Sequence, residues 1–144
     1  MQNRYVGDLG DFGKYGLLRA LCGFGAAPDM RRLSLGVVWY LIPDEWHNED
    51  GKHIRYLQPI ARNLDRFRSC DPELYDALAR IVELERNVSA IRKSGILPAG
   101  AAFHEAPLTF AETAEFGRRA RQARLERRRA WLDDALAATI GCDR

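Results

Sequence analysis

The chain reads as an α/β domain. Three features predict it: an almost wholly apolar run at 33–42, helical periodicity on both sides of that run, and a second, shorter β-like run at 101–105 ahead of a long helical segment. A strand apolar at nearly every position suits burial on both faces, as in a parallel sheet covered by helices. Strands that alternate with helices indicate α/β and not all-α organisation. At 144 residues the chain is long enough for one domain with a sizeable core.

Residues 3–10 read as a turn-rich lead-in. Asp11 is positioned as an N-cap, and Phe12, Tyr15, Leu18, Leu21 and Cys22 recur at helical spacing, so a helix is expected over 11–22. Gly23 and Gly25 end it, and Pro28-Asp29 marks a turn. The β-branched and aromatic run at 33–42 is the best strand, stopped by Pro43. A polar loop follows, and 54–61 reads as a short helix despite Pro59. Asp71-Pro72-Glu73 is a helix start with an Asp cap and Pro at the first position; the apolar face Leu74, Leu78, Ile81, Val82, Leu84 extends the helix to Asn87. A short helix is expected at 89–93, ended by Gly95 and Pro98, and a short strand at 101–105. Thr109 to Glu112 matches a capping box and opens a helix expected over 111–138.

Composition narrows the class. A formal net charge of +2 implies no polyanionic partner by itself, although positive charge concentrates near the C-terminus. Cys22, Cys70 and Cys142 are far apart and odd in number, so they form no disulfide framework or CxxC pair, and a reducing cytoplasm is the expected setting. No apolar run approaches the ~18 residues of a membrane span. The start of the chain lacks the basic-then-apolar order of a signal peptide.

Three stretches carry candidate chemistry. In the first, Gly7, Gly10 and Gly13 lead into a helix, with Arg4 and Lys14 nearby. Exposed amides at a helix start favour anions, and glycine permits close backbone approach. The order matches neither a Walker loop nor G-x-G-x-x-G, and Asp8 and Asp11 would repel a phosphate without an intervening metal. The plain structural reading is a tight turn with an Asp cap.

The second is the loop after the strong strand, with Asp44, Glu45, His47, Asn48, Glu49, Asp50, Lys52 and His53. Ligands in open α/β sheets sit beyond the carboxyl ends of strands, and a carboxylate there suits a ribose hydroxyl or a divalent metal. Asp50-Gly51-Lys52 also matches half of a metal-dependent nuclease pattern, but its spacing from Asp44 leaves no room for the hairpin such a site needs. A solvated polar loop is the competing reading.

The third is the arginine-rich segment Arg118, Arg119, Arg121, Arg124, Arg127, Arg128, Arg129, in which Arg121, Arg124 and Arg128 share a helical face. Such a helix grips phosphate backbones or is simply a solvated face. His104-Glu105 closes the weak strand and offers an acid-base pair. No serine-hydrolase elbow or nucleophilic cysteine setting is present.

Residues 3–15, together with 39–45 and 47–53, resemble a family of uncharacterised bacterial proteins whose members share an Asn-Arg-Tyr-Val-Gly-Asp-Leu-Gly-Asp-Phe-Gly-Lys-Tyr-like segment. The resemblance supplies no activity. It implies longer chains, continuing after the long helix into an apolar strand that ends in an Asp-Pro-Asp-Asn-Gly-like motif. That strand end is similar to the acidic strand end of Rossmann-like methyltransferases, an analogy at fold level. The resulting expectation is a Rossmann-like, incomplete parallel sheet flanked by helices, as one domain over 1–144.

Three functions follow as expectations. The first is a nucleotide-type cofactor domain, methyltransferase-like, binding S-adenosylmethionine through Arg4, Gly7, Gly10, Gly13, Lys14, Asp44 and Glu45. The second is a metal-dependent phosphoesterase or nuclease, with Asp8, Asp11, Asp44, Asp50 and His47 as metal ligands and Asp8, Asp11, Asp50 and Lys52 as catalytic residues. The third is a non-enzymatic module that docks nucleic acid or another partner on Arg121, Arg124 and Arg128.

Overall fold

The computed structural model describes residues 1–23, 33–45, 51–58, 64–110 and 116–142. In chain order these form α1 (Leu9–Leu21), β1 (Gly36–Val38), α2 (Leu64–Arg68), α3 (Pro72–Leu84), α4 (Val88–Ser94), β2 (Ala102–His104) and α5 (Arg118–Ala138), with single 3-10 turns at Asn3–Tyr5 and Arg55–Leu57. β1 and β2 pair in parallel, with Gly36 opposite Ala102 and Val38 opposite His104. Five helices around a parallel pair make the chain α/β, as its alternation of elements predicts.

The helix starts follow local chemistry. The Asp8 carboxylate, not that of Asp11, caps α1 by accepting from the Asp11 amide at 2.9 Å, so the helix begins two residues earlier than its apolar periodicity implies. Asp71 caps α3 through the Leu74 amide at 3.0 Å, with Pro72 at the first helical position, as expected. Asn87 caps α4 through the Ala90 amide, and Gly95 closes it in the left-handed region. α5 begins at Arg118, later than the Thr109 capping pattern implies, and residues 111–115 of that pattern lie outside the described residues. The helix expected at 54–61 is a single 3-10 turn over Arg55–Leu57, and the five-residue α2 has no counterpart in the sequence expectation.

Pairing in the sheet is shorter than the apolar run. After Val38 the Trp39 amide still bonds the His104 carbonyl at 3.0 Å, but the Leu41 amide turns back onto the Trp39 carbonyl at 2.6 Å. That tight turn removes the chain from the ladder. Each face of the pair is covered only in part: Gly36 and Val37 are half-buried and Val38 is 41% exposed, short of the burial on both faces that the apolar run implies. Trp39 packs edge-on against Tyr15 of α1, while Gly36 lies beneath Thr139 and His104 beneath Trp131, both reached from α5 and its end.

The main core lies between α1, α3 and α4. Tyr15, Leu74, Leu78 and Ile91 are almost fully buried, each contributing roughly 1.5–3 kcal/mol as a large apolar side chain removed from water. Phe12, Tyr56, Phe67 and Tyr75 extend it as edge-to-face pairs 5.3–6.5 Å apart. Arg19 is buried beside this core. It donates from Nε to Asp71 at 2.8 Å, from one terminal nitrogen to Glu73 at 2.7 Å and from the other to the Ile96 carbonyl at 2.6 Å, which ties α1 to α3 and to the end of α4.

Candidate ligand site at the carboxyl end of the sheet

The first residues of the chain lie across the strand exit. The N-terminal amine donates to the Tyr40 carbonyl, the Ile42 amide to the Met1 carbonyl at 2.8 Å, and the Gln2 amide group to the Pro43 carbonyl at 3.1 Å. The Arg4 amide then reaches Asp44 Oδ1 at 3.4 Å. The segment after the polar loop closes on the same residues. Gly51 packs against the Arg4 carbonyl in the left-handed region, where a side chain would collide, and the Leu9 amide donates to the His53 carbonyl at 3.0 Å. The N-terminal segment thus meets, beyond the carboxyl end of β1, two stretches some forty to fifty residues away in sequence.

Arg86 fastens them together. Its guanidinium donates to the Val6 carbonyl at 2.8 Å and to the Gly51 carbonyl at 2.6 Å, and burial lowers its pKa against the pull of Asp8 and Asp11. Asn3 adds a second tie, accepting from the Val88 amide at 3.0 Å. The sequence assigns neither residue this role. Asn3 only opens the 3–15 segment, and Arg86 falls within the helix expected to run to Asn87, whereas α3 ends at Leu84 and leaves Arg86 in the junction before α4.

The N-terminal turn binds its own charges. Asp11 is almost wholly buried and accepts from the Gly7 amide at 3.1 Å, from Lys14 Nζ at 2.9 Å and from the Tyr15 hydroxyl at 3.4 Å. Burial raises its pKa, with Lys14 opposing the shift. Burial, with Asp11 next, also pushes the Tyr15 and Tyr56 hydroxyls well above the usual phenol range, so both are neutral donors. Tyr56 donates to the Gly7 carbonyl at 3.2 Å. Gly7 itself sits at φ +78° with Val82 where a Cβ would go. The amides of Gly7, Asp8, Leu9 and Asp11 all have partners within the protein.

The residues expected to bind a cofactor therefore divide. Gly7 and Lys14 are engaged by Asp11, and Asp8 by the helix start. Gly10 and Gly13 are exposed on α1, and a Cβ at Gly13 would meet nothing. Arg4 Nε donates to Gln2 at 2.7 Å with the guanidinium over the Tyr5 ring. Asp44 is half-buried at the strand exit, Glu45 and Lys52 are exposed beside it, and His47 and Asp50 lie outside the described residues. No group of three or more His, Cys, Asp or Glu side chains that could hold a metal occurs among the described residues.

On the other side of the sheet, His104 is buried at the end of β2. Its Nε2 pairs with Asp134 of α5 at 2.9 Å, its ring meets Trp131 edge-on, and its Nδ1 has no partner among the described residues. Glu105 instead turns to Ser89 and Arg92 of α4, so the adjacent pair does not act as one unit. The arginines of α5 lie beyond this contact. Arg121 and Arg128 are exposed and Arg124 is half-buried. No helix among the described residues is long and apolar enough to cross a membrane.

No protein family, curated protein or solved structure matches this chain.

Proposed function

We propose that this α/β domain binds a nucleotide-type ligand beyond the carboxyl end of β1, as a methyltransferase-like cofactor domain. The observation that supports this is the meeting of the N-terminal turn, the strand exit at Asp44 and the Gly51–Ile54 segment at one place, where open α/β sheets bind ligands. The donor set also favours one kind of ligand. Of the amides that would cradle a phosphate, those of Gly7 and Asp11 serve the Asp11 and Asp8 carboxylates and those of Asp8 and Leu9 serve backbone carbonyls, whereas carboxylates such as Asp44 and Glu45 suit ribose hydroxyls. An adenosyl ligand without phosphate, such as S-adenosylmethionine, fits that set better than ATP or NAD.

Thermal unfolding with each ligand tests this. At a hundredfold excess over Kd, S-adenosylmethionine or its homocysteine product should add about 2.7 kcal/mol of stability, a rise of roughly 5–10 °C for a domain of this size. Asp44→Ala should abolish the rise. No shift with any of the four ligands would remove the reading, and a shift with ATP or NAD alone would overturn the preference for a phosphate-free ligand.

A second reading is polyanion binding on α5, which rests on segregation of charge. Residues 118–129 contain seven arginines and one glutamate, a net +6; with a chain total of +2, the remainder carries −4. A basic face on an otherwise acidic protein attracts phosphate backbones and does so in a salt-dependent way.

A further inference from the structure

We infer that the polyanion taken by α5 is single-stranded nucleic acid, bound by arginines to its phosphates and by aromatic side chains to its bases. This rests on the reading of α5 as a polyanion surface and adds the class of partner. Aromatic residues that are scattered in the sequence gather around the basic helix. Phe116 stands two residues ahead of it and is 87% exposed. Tyr40, from the exit of β1, is 48% exposed and lies 5.2 Å from the ring of Trp131. The Arg128 guanidinium sits 5.1 Å over Phe110.

Exposed rings at a basic helix, as Phe116 and Tyr40 are, offer surfaces on which unpaired bases stack, because every base has a flat π-face while the arginines of the helix neutralise the phosphates. A duplex keeps those faces inside its own stack. A membrane surface is the poorer fit. An interfacial helix sets its basic residues opposite a continuous apolar face, whereas the seven arginines of 118–129 are spaced around the helix on all sides, four of them, Arg118, Arg121, Arg128 and Arg129, flanking the exposed Leu125; the exposed Leu132 and Leu136 continue that stripe only past Arg129.

Fluorescence anisotropy with labelled dT and rU 20-mers and a 20-base-pair duplex, from 50 to 300 mM KCl, tests the inference. Both single strands, or one of them, should bind roughly 10-fold or more tighter than the duplex, given the stacking contribution per base; the pair of strands tells DNA from RNA. Phe116→Ala should weaken single-strand binding about 10-fold and leave duplex binding unchanged. Arg121→Glu with Arg128→Glu should weaken both and flatten the salt slope for single strands by about 1.4, the value for two lost phosphate contacts, while the variant keeps its melting midpoint. Equal affinity for duplex and single strands, lost in the arginine pair, would overturn this inference and leave the polyanion reading standing. Absence of oligonucleotide binding, binding only to phosphatidylserine vesicles, or binding unaltered in the arginine pair would overturn both.

Discussion

The N-terminal turn and helix α5 treat charge in opposite ways. In the turn, each ionic group finds a partner within a few residues. Asp8 takes the Asp11 amide, and Asp11 takes the Gly7 amide, Lys14 and Tyr15. In α5, six of the seven arginines in 118–129 are exposed, and among the residues through which the helix meets the rest of the protein are Ala120, Trp131, Asp134 and Ala135, with Arg128 over Phe110. A buried, internally satisfied cluster holds chain segments together, since an unpartnered buried group is costly. An exposed, unbalanced one is available to a partner. The turn is therefore a scaffold, and the helix is a surface.

Two substitutions break this comparison at its buried end. The larger effect belongs to Gly51→Ala. The residue sits at φ +81°, where a side chain meets the Arg4 carbonyl, a backbone atom that cannot swing aside. Left-handed backbone costs about 1–2 kcal/mol and overpacking about 1–3 kcal/mol, so a loss near ~4 kcal/mol is expected in urea unfolding, a large part of the stability of a domain this size. A loss below ~1 kcal/mol would show that the loop and the turn are not locked together.

The smaller effect is read against pH. Asp11 has a raised pKa because it is buried, so the folded state holds its proton more tightly than the unfolded chain. Its favourable contribution is fully present below the unfolded value of 3.8 and is lost as pH rises through the folded pKa. Asp11→Asn cannot ionise. The wild type should therefore gain stability relative to the variant as pH falls from 7 toward 4, measured as the difference in urea midpoints. A gap that narrows on acidification would mean that Lys14 and the Gly7 amide outweigh burial.

Much of this architecture is legible in the sequence. The capping residues Asp71 and Pro72 give α3 its start, and the apolar character of 33–42 announces a strand, which Trp39 anchors to Tyr15 of α1; the burial on both faces that it also implies is met only in part, because Val38 and Tyr40 stay exposed. The length of that strand is not legible, because apolar residues past Val38 are needed for packing as much as for pairing, and Trp39 and Leu41 turn within the core. In the glycine turn, spacing leaves an anion site and a tight Asp-capped turn both open, because it reveals glycines but not their partners; only the fold shows the Asp11 carboxylate accepting from the Gly7 amide. The role of Arg86 is not legible for the same reason, since the carbonyls of Val6 and Gly51 converge only in three dimensions.

Amide hydrogen exchange followed residue by residue tests the contrast most directly. The amides of Gly7, Leu9 and Asp11 should exchange only through near-global opening, while those of residues 122–129, in the arginine-rich half of α5, should exchange through local opening several kcal/mol less costly. Comparable protection in both regions, or faster exchange at Gly7 than at Arg124, would contradict a satisfied turn set against an open helix.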